Sequence, residues 1–193
     1  MNQSLETDRD DRSDYLAKYH GWLRLMARLQ LDGRWNRKFD ASDILQQTLL
    51  EAWKSESAFE GNTSAERIAW LRTILGRVIG REVRKYEGTQ MRDPGRELSL
   101  QRSIDQSSVL LDHMLAADAD SPSTVASHRE QQTIIADALE SLPDDYREVI
   151  VMRNLRGLSH AEIAEKMARS ESAIRMLWLR ALKELKTEAL ARQ

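Results

Sequence analysis

From Arg67 to Tyr86 the chain repeats apolar side chains every three or four positions without one proline, and no other feature constrains its fold as tightly. Ile68, Leu71, Ile74, Leu75, Val78, Ile79 and Val83 fall on a single stripe, the pattern of an amphipathic helix with one buried face. The same period governs Ser13 to Glu87 and returns from Arg129 to the C-terminus, and no segment alternates with the period of a strand. Only three prolines and eight glycines occur in 193 residues, so little interrupts the helices. The expected fold class is all-α. From Thr89 to His128 the period weakens while Pro, Gly, Ser and Asp accumulate, a connection long for the inside of one compact domain. The pattern therefore predicts two small helical domains, residues 13–88 and 129–193, joined by a polar linker over 89–128. Within that linker the stretch Val109 to Ala117 can still form one short helix. Residues 1–12 read as an acidic flexible tail, with the guess that Glu6 to Asp14 masks a basic face.

In the first domain Asp40 or Ser42 caps a helix whose apolar stripe is Ile44, Leu45, Thr48, Leu49, Ala52 and Trp53. Its other face shows Asp43, Gln46, Gln47 and Glu51. On the helix that follows, Arg77, Arg81, Arg84 and Lys85 recur at i, i+4, i+7 and i+8, one continuous basic face. Gly76 and Gly80 lie a turn apart there, each costing about 1 kcal/mol against alanine, which suggests close approach of another backbone. Trp70, beside the apolar stripe, suits either the rim of the core or stacking on an unpaired base. Trp53 and Trp178 are assigned to the core.

The second domain carries its own punctuation. A helix from about Asp144 turns Tyr146, Val149, Ile150 and Met152 inward, and Gly157 supplies a left-handed stop. Ser159 and Glu162 form an S-x-x-E capping box. Ile163, Ala164 and Met167 then point inward, with small Ala161 and Ala164 permitting a close crossing. "ARS" makes an elbow, and Ser170 caps a last helix with Ile174, Leu177, Trp178, Ala181, Leu182 and Leu185 on its apolar side. Ser172, Arg175, Met176, Leu179, Arg180 and Lys183 lie opposite. A short helix, a tight elbow and an exposed cationic helix describe a helix-turn-helix.

Other classes are disfavoured. With no cysteine, thiolate metal sites, disulfides and a catalytic thiol are excluded. His20, His113, His128 and His160 are scattered, and the carboxylates of Asp40, Asp43 and Glu51 have no histidine, nucleophile or phosphate loop beside them. The expectation is no cofactor, no metal and no enzyme. No apolar run approaches the ~20 residues of a membrane helix, and the first residues are acidic, unlike a secretory signal. A cytoplasmic protein is expected.

Together the two blocks resemble bacterial RNA polymerase sigma factors of the extracytoplasmic-function (ECF) type. "DASDILQQTLLEAW" looks like the region-two helix that docks on the β′ clamp helices of core RNA polymerase, which assigns Asp40, Asp43, Gln46, Gln47 and Glu51 to polymerase binding. "WLRTILGRVIGREVRK" looks like the segment that melts and reads the minus-ten element, which assigns Trp70, Arg77, Arg81, Arg84 and Lys85 to promoter DNA. Arg77 and Arg81 stand where family members commonly carry Asn and Asp. "LPDDYREVIVMRNLRGLSHAEIA" and "SAIRMLWLRALKEL" look like region four, which contacts the β flap and reads the minus-thirty-five element through Ser172, Arg175, Met176, Leu179 and Arg180. The resemblance implies promoter-directed transcription initiation, with an anti-sigma factor as a candidate partner. It also accommodates the formal net charge of −2, because polymerase supplies much of the phosphate attraction and local basic faces suffice. The competing reading is a stand-alone helix-turn-helix regulator that binds duplex DNA without polymerase.

Overall fold

The computed structural model describes residues 16–31, 40–87, 94–116 and 125–192; the acidic tail lies outside them. Among the described residues the regular structure is helical: α1 (His20–Gln30), α2 (Ala41–Ser55) with a 3₁₀ turn at Glu56–Ala58, α3 (Ser64–Glu87), α4 (Pro94–Ala116), α5 (Val125–Ser141), α6 (Asp144–Ile150), α7 (His160–Lys166) and α8 (Glu171–Leu190). The chain divides into two compact units, Met1–Gln106 and Ser107–Gln193.

In the first unit α2 packs on both α1 and α3. Trp22, Leu23 and Met26 of α1, Ile44 and Ala52 of α2, and Leu71, Leu75, Val78 and Ile79 of α3 are all buried. Thr48 can join this apolar contact because its hydroxyl donates to the Ile44 carbonyl at 2.7 Å, leaving no polar group unsatisfied. Asp40 is the cap of α2, its Oδ1 accepting the Ser42 N–H at 2.9 Å. Trp53 departs from expectation. At 44% exposure it sits outside the core, at the edge of the stripe rather than on it.

The segment read as an irregular linker contains a helix of 23 residues, α4. Its pattern is disguised because a polar residue takes an inward position: Ser107 is buried between the fully buried Ile104 and Leu111. Pro94 is tolerated at the first helical position, where its missing N–H has no partner to lose. Arg72 of α3 pairs with Asp105 of α4 at 2.6 Å. A Cβ built on Gly76 would come within 3.3 Å of Gln101 Cγ, so Gly76 makes room for a side chain of α4, not for another backbone.

In the second unit α8 packs against α5, α6 and α7. Val149, Ile150, Ile163, Ile174 and Ala181 are buried at this junction. Helix α6 ends in a π-helical turn, Val151–Leu155, and Gly157 follows with φ +70°, the left-handed stop that its sequence position suggested. Tyr146 is only half-buried, and Ala161 is exposed, so of the two small residues only Ala164 lies at the crossing.

Two helices begin on the same reciprocal cap. At α7 Ser159 Oγ accepts the Glu162 N–H at 3.2 Å, while Glu162 accepts the Ser159 N–H at 2.7 Å. At α3 Thr63 Oγ1 accepts the Glu66 N–H at 3.2 Å, and Glu66 accepts the Asn62 and Thr63 N–H groups at 2.9 and 3.0 Å. The Thr63 hydroxyl foremost, then those N–H groups, holds the Glu66 carboxyl below the ordinary glutamate range. The Ser159 N–H and hydroxyl do the same for Glu162. A carboxylate whose folded pKa is lowered stabilises the fold above its unfolded pKa, and that stability is lost as pH falls through the folded value. Replacing both Glu66 and Glu162 with Gln should therefore lower the melting temperature near neutral pH, with the gap to the parent closing on acidification. A pH-independent offset in circular-dichroism melts would disprove the cap assignment.

Candidate nucleic-acid interface

Helix α8 is built to present one face. Its N-cap Ser170 accepts the Ala173 N–H at 3.2 Å, and its apolar side is held by buried Ile174, Ala181, Leu185 and Ala189. Ser172, Arg175, Met176, Leu179, Arg180 and Lys183 all emerge exposed on the opposite side, as the spacing predicts. Arg175 pairs with Glu171 one turn earlier at 2.6 Å; both side chains are exposed, so the pair contributes little and yields readily to a stronger anion.

Four contacts that local sequence pattern does not encode hold α8 and its elbow in place. Trp178 is half-buried, and its Nε1 donates to Asn154 Oδ1, in the π-turn, at 2.9 Å. The same indole meets the His160 ring edge-on at 5.5 Å between centroids. At the elbow, Ala168 takes φ +51°, and Arg169 donates its backbone N–H to the Ala164 carbonyl at 3.0 Å. The Arg169 side chain reaches Asp145 of α6 at 2.5 Å.

In the first unit the basic face lies on α3. Arg77, Arg81 and Lys85 are exposed, and Arg84 is half-buried. Arg81 is not a free cation: its Nη1 lies 2.5 Å from Glu51 Oε1, and its Nη2 is 3.5 Å from Gln47 Oε1. Lys85 pairs loosely with Glu82 at 3.7 Å. Two residues assigned to polymerase binding thus hold one assigned to DNA. The predicted faces border a common groove of about 540 Å³, lined by Asp43, Ile44, Gln46 and Gln47 of α2 and by Glu82, Lys85 and Tyr86 of α3. Asp40, Asp43 and Gln46 are exposed; Gln47 and Glu51 are partly covered.

Trp70 is half-buried against Phe59, with ring centroids 5.1 Å apart. The Arg67 guanidinium lies 3.7 Å from the Phe59 centroid and 5.2 Å from that of Trp70, a double cation–π contact. Glu56 neutralises Arg67 at 2.5 Å. Of Arg67, Glu56 and Phe59 only Arg67 lies on α3, whose start the T-x-x-E at Thr63 marks, while Glu56 and Phe59 belong to the 3₁₀ turn before it and its C-cap. Among the described residues no group of His, Cys, Asp or Glu could hold a metal ion, and no helix is long and apolar enough to cross a membrane.

The family described as Sigma-70, region 4 matches residues 132–185, which take in α6, α7 and most of α8. The ECF RNA polymerase sigma factor SigG of Mycobacterium tuberculosis (strain ATCC 25618 / H37Rv) is 32% identical over 157 residues, 77% of this chain and 41% of that protein. The chain thus spans about two fifths of the length of that relative. The ECF RNA polymerase sigma-E factor of Haemophilus influenzae is 28% identical over 69% of this chain and 66% of its own length. The ferric citrate uptake sigma factor FecI of Escherichia coli is 29% identical over 81% of this chain and 78% of its own.

Proposed function

We propose that this chain is an ECF-type sigma factor of bacterial RNA polymerase, which binds core RNA polymerase and directs it to promoters. In this reading residues 13–88 dock on the polymerase and act at the minus-ten element, and residues 129–193 read the minus-thirty-five element. The observation that carries it is the coincidence of the region-4 match with α8, whose exposed side holds all five residues assigned to upstream DNA. The related proteins are sigma factors, not enzymes, and we read this chain likewise, acting in the cytoplasm where the polymerase works.

Run-off transcription, with gel shifts in the presence and absence of core polymerase, tests the reading. A sigma factor gives promoter-dependent transcripts only with core enzyme, whereas a stand-alone regulator binds duplex DNA without it. The docking face is tested separately. Gln47→Lys or Glu51→Lys would place a like charge against Arg81 and confuse the result. Asp43→Lys with Gln46→Lys changes exposed residues away from that contact. The pair should weaken core-polymerase affinity by roughly tenfold or more, since a misplaced charge in an interface costs several kcal/mol. Helical circular dichroism should be unchanged. Unaltered affinity in a fluorescence titration would remove this face from the docking surface.

A further inference from the structure

Met176 and Leu179 are exposed to 51% and 49% on α8, and both lie on the side opposite buried Ile174, Ala181 and Leu185. Neither can be a core residue that happens to show an edge. They occupy the middle of the exposed face, with Ser172 and Arg175 before them and Arg180 and Lys183 after. Two large apolar side chains inside a cationic frame present water with a surface that costs free energy until something apolar covers it.

The geometry points to Met176 and Leu179 as specificity-determining residues that read thymine 5-methyl groups in the upstream promoter element. This rests on the proposed function and deepens it. The cations make the face complementary to phosphate, and a helix carrying them fits the major groove. There the thymine 5-methyl is the one apolar group that the base edges offer, and apolar side chains are its natural partners. A helix face with methionine and leucine between arginines should therefore select A·T pairs with thymine on the facing strand, flanked by positions read through hydrogen bonds from Arg175 or Arg180. A protein partner would demand a different surround, because cations framing a patch suit a polyanion.

The test removes the methyl group alone. Core polymerase carrying the full chain selects duplexes from a pool randomised across the upstream element. Each enriched thymine is then replaced by deoxyuridine, which keeps every hydrogen bond and lacks only the methyl. For the parent chain, closed-complex affinity should fall about fourfold per contacted methyl, the effect expected for one buried methylene-sized group. With Met176→Ala and Leu179→Ala together, the same deoxyuridine duplexes should bind as well as the thymine ones. Met176→Leu should retain part of the methyl effect. Selected sites without thymine, thymines indifferent to methyl removal, or an equal methyl effect in the double variant would each overturn the inference. So would loss of core-polymerase binding by that variant, which would place a protein on this face. Failure of the parent holoenzyme to enrich any sequence would instead strike at the proposed function itself.

Discussion

Removing the guanidinium groups of Arg77 and Arg81 together should cut open-complex formation by roughly thirtyfold or more while closed-complex formation persists. Each charge-assisted contact to DNA is worth about 1.5–3 kcal/mol, but the two arginines do not start from the same state. Arg77 is exposed with no ion pair shown to a described residue, whereas Arg81 is held by Glu51 and Gln47 and must exchange those partners for DNA. That exchange is inexpensive, because a half-exposed pair contributes only about 0–1 kcal/mol. Arg77→Ala should therefore account for the larger part of the loss, with Arg81→Ala adding less. Permanganate reactivity around the minus-ten element reads the open state directly. On a template already opened there, the double variant should recover transcription, since strand separation no longer has to be driven. Equal loss on closed and pre-opened templates would replace a melting role with simple phosphate attraction.

Ile174→Ala should destabilise the second unit by about 2–5 kcal/mol, the range for truncating a fully buried aliphatic residue. Against a typical stability of roughly 5–15 kcal/mol, that change lowers the folded fraction of the unit that presents α8 and should weaken upstream recognition. Met176→Ala, two positions later on the exposed side, should move stability by no more than about 0.5 kcal/mol and alter only DNA selection. Denaturant midpoints of the two single variants measure the contrast. Comparable destabilisation by both would mean that the faces of α8 are wrongly assigned.

Several elements were legible from local pattern. The S-x-x-E box at Ser159, the glycine stop at Gly157, the Ser170 cap and the two sides of α8 all stand as their spacing predicted. Each depends on residues within about one helical turn, where backbone geometry dictates which side chains meet. The exposure of the residues assigned to upstream DNA on α8 was legible for the same reason: a residue three or four positions from a buried one shares its face, and the others do not. The T-x-x-E box at Thr63 is equally local, but the polar residues on both sides of it hide where α3 begins.

What lay beyond the pattern involves contacts between elements. The Glu51–Arg81 pair and the hydrogen bond from Trp178 to Asn154 each join helices whose rotation and crossing no short-range period encodes. Trp53 lies at the edge of the apolar stripe by spacing, and the packing of α2 leaves it in solvent. Helix α4 was hidden because buried Ser107 breaks the hydrophobic rhythm. The sequence alone determined that the chain forms amphipathic helices and which side of α8 faces outward, because burial of apolar area follows directly from spacing along one helix. Only the tertiary structure decided that Glu51, assigned to polymerase docking, holds Arg81, assigned to DNA, because a charge pair across two helices exists only once their packing brings its atoms within reach.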